Sequence, residues 1–534
     1  MPIRRSAIRL EGAVVSTSTL LCSLLCSVIW SASGLYAQVV TKGSGEHIVA
    51  NRYLVVYRDG VVPADAATRV RAMGARLVGQ HSRFGIVAVQ GSAPAPEVRL
   101  HGATSTAAAP DDQVLARSLA AQPDVAFVLH DRLVTAHRLK IRMIPDPVFS
   151  VAIGRAAFDT YYNSPQGWAV RQVGGYGANI PGGPVHGPWD LTRGQGVRIA
   201  ILDSGVDATH PDIAPNLELN ISEVNPTALP SVCDDGTPQD QDGHGTWTAS
   251  LAAGALGPGT GKTVGVAPAA SLLNIKVLER LPATIGADDA ARCNAGSASG
   301  LLSWVIQGID DAIANHADVI SMSLGTILDL STGDGAGTKA LFDRITYAAA
   351  QAGAVLVAAA GNDASNLSDP RYIEIPAQSR GVLAVVASTN PDCSENTNPG
   401  STCAPGPSSL AYYSNYGAPL DAVAAPGGSY PSGGDMDVSG WVRGACSSGL
   451  PGTDPGLPSE PGHSFGCFNL GHAAYVQAIG TSASAPLVAG AAALLRAIHP
   501  EWDAATTIDA IRSMATPANA SLAYPEVTVG LVAP

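Results

Sequence analysis

Apolar residues occur in short, almost uninterrupted runs between residues 197 and 388, and each run ends at a small or polar residue. Four of these runs predict buried strands: VRIAILDSG (197–205), DVISMSLG (318–325), AVLVAAAGN (354–362) and GVLAVVAS (381–388). Helical patterns near 298–315 and 338–352 lie between them. Apolar strands that alternate with helices predict a parallel α/β sheet covered by helices on both faces.

A different pattern precedes this region. Between residues 46 and 137, strand-like and helical stretches follow one another in the order β-α-β-β-α-β, which is typical of a small α+β domain of ferredoxin-like fold. An Ala- and Pro-rich segment at 92–110 interrupts it and is predicted to be a flexible insertion. Residues 138–164 lack periodicity and are predicted to be a junction, so that 165–534 form the larger domain.

The N-terminus carries Arg4 and Arg5 ahead of a run without charged residues from Gly12 to Thr41. Small residues follow the apolar centre of this run, which is the order found in secretory signal peptides, so we expect residues 1–37 to be a signal peptide. A membrane anchor is the alternative, because the run is long enough to span a bilayer. A signal peptide predicts a secreted protein, extracellular or periplasmic, without stable membrane association.

Composition narrows the class of protein. The chain has 534 residues, of which 46% are hydrophobic and 14% are charged, and its formal net charge is −13. This is enough chain for one large core and a smaller domain. The acidic balance argues against nucleic acid as a partner and fits a soluble protein, which we expect to be a monomer.

Six cysteines lie outside the predicted signal peptide. An even number in an exported chain favours disulfides, and no CxxC spacing supports metal ligation. Several pairings are compatible with the sequence. Short loops close at low entropic cost, which favours Cys393–Cys403 and Cys446–Cys467 and leaves Cys233–Cys293.

Two residues have the surroundings of a catalytic acid and base. A hydrolytic serine needs a base, an acid that orients the base, and donors that hold the oxyanion. Asp203 ends an apolar strand in ILDSG, where its carboxylate would be partly desolvated, although Asp-Ser-Gly is also ordinary turn chemistry. His244 lies between Gly243 and Gly245, and glycines are costly at a helix start unless the backbone must approach something closely. An exposed loop histidine is the alternative.

Ser482, in GTSASAPLVAGAAALL, is predicted to lie at the N-terminus of a buried helix, with Pro486 in the first turn. The helix dipole at that end favours developing negative charge. The alternative for Ser482 is a plain N-cap, and Ser484, deeper in the turn, is the competing nucleophile. Asn362 ends another predicted strand, where its amide would either donate to an oxyanion or simply form a turn.

These motifs resemble those of the subtilisin-like family of serine peptidases. VRIAILDSGVDATHPDI, DGHGTWTASLAAG and GTSASAPLVAGAAALL resemble the family's Asp, His and Ser blocks, and AAAGN its oxyanion block, in the family's order over about residues 165–525. The resemblance implies a secreted endopeptidase that cleaves polypeptides through an acyl-enzyme, requires no cofactor and is made as an autoprocessed zymogen. The domain at 46–137 resembles the family's propeptide, which acts as an intramolecular inhibitor and folding chaperone.

The resemblance also implies roles for single residues. Asp203 would orient His244, which would act as general base and then as general acid. Ser482 would attack the substrate carbonyl, and Asn362 would hold the oxyanion. Substrate would pair as an added strand with the segment 323–325. The S1 pocket would lie beside this segment and would hold the side chain of P1, the residue before the cleaved bond. These substrate-binding residues are Ser323, Leu324, Gly325, Ala360 and Gly361.

Two positions depart from the family's pattern, and a third matches one of its metal-binding positions. Trp247 stands where the family usually has a second histidine, which alters the surroundings of His244, and Ala483 stands where it usually has methionine. Asp212 matches a position that often ligates calcium in the family, so a structural calcium ion is a hypothesis.

Asp363 and Glu374 fall near the rim of the implied S1 pocket. Two carboxylates there would favour basic P1 side chains by charge complementarity. Solvated surface acids are the simpler interpretation, because exposed charges contribute little.

Two other functions remain open at this point. One is a peptide-processing or transpeptidating relative with the same triad, and the other is a catalytically inactive homologue that acts as a binding module. The intact triad and the propeptide-like domain argue against the second. The role of the insertion at 428–478 does not follow from its sequence.

Overall fold

The structure of the chain is a computed structural model that describes residues 39–41, 47–91, 110–137, 167–173, 187–256, 263–389, 408–428, 441–450, 467–469 and 473–528. All of these residues belong to one compact unit, Tyr36–Pro534. Four of the predicted features lie outside the described residues: the signal peptide, residues 92–109 of the insertion in the smaller domain, the junction at 138–164 and the Cys393–Cys403 pair.

Residues up to 137 form an antiparallel sheet with two helices. Its elements are β1 (Val39–Thr41), β2 (His47–Tyr57), α1 (Ala66–Ala72), β3 (Ala75–His81), β4 (Ile86–Gly91), α2 (Pro110–Ala120) and β5 (Val125–Ala136). Strand β2 lies between β5 and β4, and β4 pairs with β3, all antiparallel. Side chains alternate along β2, so Tyr53 and Val55 pack against the two helices while Leu54 and Val56 join the core of the larger domain.

The larger domain holds the remaining elements. Its strands are β6 (Arg198–Asp203), β7 (Leu217–Ser222), β8 (Ser271–Lys276), β9 (Glu279–Leu281), β10 (Ser297–Leu301), β11 (Val319–Met322), β12 (Leu324–Asp329), β13 (Val355–Ala359), β14 (Tyr372–Ile375), β15 (Val382–Thr389), β16 (Ser409–Leu410), β17 (Ala422–Pro426), β18 (Val442–Ala445), β19 (Phe468–Asn469) and β20 (Ala474–Ala478). Its helices are α3 (Trp168–Val173), α4 (His244–Ala253), α5 (Asp289–Asn294), α6 (Leu302–Ala314), α7 (Gly333–Gln351), α8 (Thr481–Ile498) and α9 (Ala504–Met514).

The central sheet has the order β16-β15-β13-β11-β6-β8-β7, with β17 beside β15, and only β16 is antiparallel to its neighbour. Alternate residues of each strand face opposite layers, so Ile199 and Ile201 pack with α4 and α8, while Ala200 and Leu202 pack with α6 and α7. The predicted parallel α/β sheet with helices on both faces is confirmed.

Helix α8 passes through the middle of this core. Of the helices in the described part of the chain, it alone is long and apolar enough to cross a membrane, and 83% of that stretch is buried inside the protein. Its apolar character therefore reflects packing against the sheet.

Two element predictions were wrong in detail. The run 318–325 is not one strand, because Ser323 separates β11, in the central sheet, from β12, which pairs with β5 and β14. The predicted helix at 298–315 begins only at Leu302, because residues 297–301 form β10 and pair with β5 and β9. Both exceptions concern strands whose partners are distant in sequence.

Two disulfides join described residues, Cys233–Cys293 and Cys446–Cys467. Loop length favoured Cys446–Cys467, and Cys233–Cys293 is the pair that remained after the two short loops were closed. Cys446–Cys467 belongs to a small sheet of order β18-β20-β19 that is formed by the insertion before α8.

Candidate active site

Asp203 ends β6 and His244 begins α4, and their side chains form a buried hydrogen bond. His244 Nδ1 lies 2.7 Å from Asp203 Oδ1, and both residues are 0% exposed. Asp203 Oδ1 also accepts from the Ser204 N–H at 2.7 Å, and Oδ2 accepts from Thr248 Oγ1 at 3.1 Å. The carboxylate is thus held by three donors and fixes the orientation of the imidazole.

Asp240, which sequence reasoning missed, joins the turn after Asp203 to the start of α4. It accepts from Ser204 Oγ at 2.9 Å, from the Gly243 N–H at 2.7 Å and from the Thr246 N–H at 2.8 Å. An acid four residues before His244, the first residue of DQDGHGT (240–246), was the available signal. The two glycines beside His244 are also explained here. Gly243 has a φ of 96°, and a Cβ at Gly245 would collide with the carbonyl oxygen of Gly205.

Trp247, the departure from the family pattern, lies fully buried one turn along α4. Its ring meets that of His244 edge-on with centroids 5.9 Å apart, and its Nε1 donates to the carbonyl oxygen of Val442 at 3.2 Å. Gly444 leaves room for the indole, since a Cβ there would lie 2.5 Å from Trp247 Cδ1. Trp247 therefore anchors the insertion strand β18 to the helix that carries His244.

Ser482 is the second residue of α8 and is fully buried. Its hydroxyl donates to the carbonyl oxygen of His137 and, at 3.2 Å, to that of Ser323. The competing Ser484 donates instead to the carbonyl oxygen of Ala425 at 2.9 Å. Of the two serines, only Ser482 faces the strand that enters from the N-terminal domain.

Pro486 is the sixth residue of α8, not part of its first turn as predicted. Its missing N–H would otherwise donate to the carbonyl oxygen of Ser482 in the i→i−4 ladder. That oxygen instead accepts from Ser323 Oγ at 3.0 Å. The proline thus frees the Ser482 carbonyl to tie the serine to the β11–β12 junction.

Asn362 lies just beyond the end of β13, with its amide oriented by Thr481. Its Oδ1 accepts from the Thr481 N–H at 2.9 Å and from Thr481 Oγ1 at 2.8 Å. Its Nδ2 is buried and forms no hydrogen bond with any described residue. The donor end of the amide is therefore available for an oxyanion. Sequence reasoning missed Thr481, although GTS places it next to Ser482.

The predicted substrate-binding segment is already paired with the chain itself. The end of β5 lies between β12 and β10, with Thr135 opposite both Gly325 and Ser299, and Ala136 opposite Leu324. Beyond it, the His137 N–H donates to the carbonyl oxygen of Ser323 at 3.0 Å. Residues 134–137 are therefore held as an added strand that ends at Ser482.

The side chain of His137 enters the implied S1 pocket, where its Nε2 lies 3.1 Å from Glu374 Oε1. Glu374 is 0% exposed, so a solvated surface acid was the wrong interpretation for this residue, whereas Asp363 is exposed. A Cβ at Gly325 would collide with Glu374 Oε1, and one at Gly361 would lie 3.5 Å from Glu374 Oε2. Gly325 therefore makes room for the acid, whereas Gly361 makes room for Asn415, whose Nδ2 would collide with a Cβ there.

Ala360, the remaining predicted pocket residue, is fixed by its backbone. Its carbonyl oxygen accepts from Asn415 Nδ2 at 3.0 Å, and Asn415 Oδ1 accepts from the Asp363 N–H at 3.0 Å. Asn415, another residue that sequence reasoning missed, thus holds the segment that follows β13.

The calcium hypothesis centred on Asp212 stays a prediction. Asp212 Oδ2 accepts from the Tyr475 hydroxyl at 2.7 Å. Within the ranges given above, no group of three or more His, Cys, Asp or Glu side chains is arranged to hold a metal ion.

A parallel α/β sheet with an Asp–His pair and a buried serine at its carboxyl edge defines a serine-hydrolase type of site. Residues 194–527 match the sequence profile of the Subtilase family, and the chain belongs to that family. The chain is 32% identical to Subtilisin NAT of Bacillus subtilis subsp. natto over 325 residues, which is 60% of this chain and 61% of the relative. The match thus spans less than two thirds of that protein.

Solved structures of similar fold cover more of the chain. Fervidolysin from Fervidobacterium pennivorans, a keratinolytic enzyme related to subtilisin, covers 92% of this chain and 62% of its own at 21% identity and a TM-score of 0.58. The epidermin leader peptide processing serine protease from Staphylococcus aureus covers 90% of this chain and 96% of its own at 18% identity and a TM-score of 0.58. At these identities the likeness concerns the fold alone.

Proposed function

We propose that the chain is a secreted serine endopeptidase made as a zymogen, in which Asp203, His244 and Ser482 form the catalytic triad. One observation carries this proposal. The carbonyl of His137, at the end of a strand paired on both sides, lies against the hydroxyl of Ser482. A peptide held in this way has the arrangement of a substrate bound by strand addition.

The reaction begins with attack of Ser482 Oγ on the carbonyl carbon of P1, while His244 accepts the hydroxyl proton. The oxyanion that forms receives a hydrogen bond from Asn362 Nδ2, the donor left available by the contacts of Asn362 with Thr481. The C–N bond then breaks, and His244 returns the proton to the leaving amine. Water, deprotonated by His244, displaces Ser482 from the acyl-enzyme and releases a carboxylate.

The first substrate is the chain itself. The bond that follows His137 joins it to Arg138, so its cleavage would separate residues 46–137 as a propeptide. After cleavage, the strand that ends at His137 would remain in the cleft as an inhibitor, held by its pairing with β10 and β12.

Polar contacts with two helices also hold this domain in place. Asp131 accepts from the Ser303 N–H at 3.0 Å and from Ser303 Oγ at 2.6 Å, where α6 begins. Asp334, in the first turn of α7, accepts from the His130 N–H at 2.9 Å. The helix dipole favours an acid at a helix N-terminus. Asp131 lies at the N-terminus of α6 across the interface, and Asp334 lies at the N-terminus of its own helix, α7. These contacts support a role for the domain in aligning β5 with the cleft.

Secretion is supported by the two disulfides, because such bonds persist in oxidising compartments. It also agrees with the signal-like N-terminus.

The test compares the wild type with Ser482→Ala and, as a matched control, Ser484→Ala. A fluorophosphonate should label the wild type and Ser484→Ala after propeptide removal, and should leave Ser482→Ala unlabelled. Mass spectrometry should find a new N-terminus at Arg138 in the first two proteins and an intact chain in the third. A wild type that stays unlabelled and unprocessed would contradict the proposal and favour an inactive binding homologue.

A transpeptidating relative would also be labelled, so the products of a peptide substrate decide between these two reactions. Hydrolysis gives a free carboxylate on P1, whereas transpeptidation joins the acyl group to an added amine nucleophile. Liquid chromatography of the products with and without that amine separates the outcomes.

A further inference from the structure

The base of the S1 pocket holds a carboxylate that the rest of the pocket does not neutralise. Both Glu374 oxygens are buried, and apart from His137 neither has a polar partner among the residues that the structure describes. Only the backbone of Glu374 is bonded, since its N–H donates to Gln378 Oε1 at 2.8 Å. A buried charge without a partner is strongly unfavourable, so this pocket is incomplete without a ligand.

The group that completes the pocket comes from P1. His137 Nε2 lies 3.1 Å from Glu374 Oε1, while the backbone of His137 occupies the cleavage position at Ser323 and Ser482. The imidazole is therefore placed both as a P1 side chain and as the polar neighbour of Glu374.

We infer that Glu374 is the specificity-determining residue of this site and that it selects a cationic side chain at P1. The inference rests on the proposed peptidase function and names its substrate class: polypeptides cleaved after lysine, arginine or protonated histidine. A neutral P1 side chain of similar size would leave the carboxylate buried and unpaired, which costs more than a mere lack of attraction.

The charges that face Glu374 also favour a cationic side chain at P1. Burial raises the pKa of the Glu374 carboxyl, the His137 imidazole lowers it, and the Asp363 carboxylate raises it. Of these groups, His137 belongs to the bound strand and Asp363 follows β13. Once the strand leaves, the described residues that face Glu374 include Asp363 and no base, so an incoming cation relieves both the burial and the repulsion.

The direct test uses peptides that copy the bound strand, Val-Thr-Ala-X followed by a chromogenic amide, with X as Lys, Arg, His, Gln or Leu. For the processed wild type, kcat/KM should be roughly 10–100-fold higher for Lys or Arg than for Gln or Leu, the ratio expected for one charge-assisted hydrogen bond in place of an unpaired group. Glu374→Gln should remove most of this ratio. Asp369→Asn, which removes an exposed acid from the same segment, should keep it.

Histidine at P1 provides a second readout, because an unperturbed imidazole loses its charge near pH 6.5 while lysine keeps its charge to about pH 10. The ratio of kcat/KM for the His peptide to that for the Lys peptide should fall roughly tenfold between pH 5.5 and pH 8. Titration of His244 cancels in this ratio, since both peptides use the same triad. In Glu374→Gln the ratio should vary little with pH.

Rates are expressed per fluorophosphonate-labelled site, so that misfolded protein does not enter the comparison. Equal cleavage after Leu and Lys by labelled wild type, or an unchanged ratio in labelled Glu374→Gln, would overturn the P1 inference and leave the peptidase proposal intact. Absence of labelling in the wild type would instead refute the peptidase proposal.

Discussion

The two ends of the cleft are built in opposite ways. At the end that holds the proposed triad, both carboxylate oxygens of Asp203 have a donor, and Asp240 and Thr481 hold the neighbouring turns through further hydrogen bonds. At the S1 end, Glu374 is equally buried, but none of the described residues of the pocket donates a hydrogen bond to its carboxylate. One end is complete in the folded chain, and the other is completed by whatever residue occupies P1.

This difference separates two tasks. Groups that perform chemistry gain from being fixed before substrate arrives, because no reorganisation is then needed in the transition state. A group that discriminates between substrates works best when it is left unpaired unless the correct substrate supplies its partner. Asn362 combines both features, with its Oδ1 fixed and its Nδ2 left available.

The largest expected effect is at Asn362. Asn362→Ala should lower kcat on casein by roughly 10²–10³-fold with little change in KM, because the donor acts on the oxyanion and not on the bound ground state. Thr481→Ser keeps the hydroxyl that holds Asn362 Oδ1 and should stay within a few-fold of wild type. Steady-state kinetics measures both. If kcat fell and KM rose by similar factors, Asn362 would only shape the cleft.

A smaller effect is expected where Ser323 satisfies the Ser482 carbonyl. Ser323→Ala should lower the free energy of unfolding by about 1–3 kcal/mol, because Pro486 has no N–H to replace the lost donor. Adding Pro486→Ala supplies that N–H and should recover part of the loss, which a double-mutant cycle measures by denaturant unfolding. If Ser323→Ala and the double variant Ser323→Ala/Pro486→Ala were equally stable, this account of Pro486 would be disproved.

A pH-dependent effect is expected at Glu279, another buried acid without a hydrogen-bond donor in the described structure. Burial raises its pKa to about 9, with the Asp234 charge adding to the shift and Lys276 opposing it. The folded protein therefore keeps a proton that the unfolded chain releases near pH 4.5, so stability falls as pH rises through this window.

Glu279→Gln should remove this slope. The melting temperature of the variant should exceed that of wild type at pH 8, and the two should converge near pH 4, as followed by circular dichroism in the Ser482→Ala background to prevent self-cleavage. A difference that does not depend on pH would show that Glu279 acts through packing alone.

Much of the fold follows from local sequence. The apolar runs that end at Asp203 and Asn362 are strands of the parallel sheet, and the small-residue stretch after His244 is a helix, because burial on both faces demands uniform apolar or small side chains. Residues 297–301 escaped prediction because SASGL has little strand character, and its strand exists through pairing with β5 and β9.

The sequence alone determined which residues carry the chemistry proposed here, because Asp203, His244, Asn362 and Ser482 each lie in a turn or helix start whose glycines and small residues are local requirements. Tertiary structure decided what those residues face. Nothing local places His137 against Ser482, frees the Ser482 carbonyl for Ser323, or turns Glu374 from a surface acid into the base of a pocket. These relations join residues far apart in the chain, and burial, which gives each contact its energy, exists only once the sheets and helices have packed.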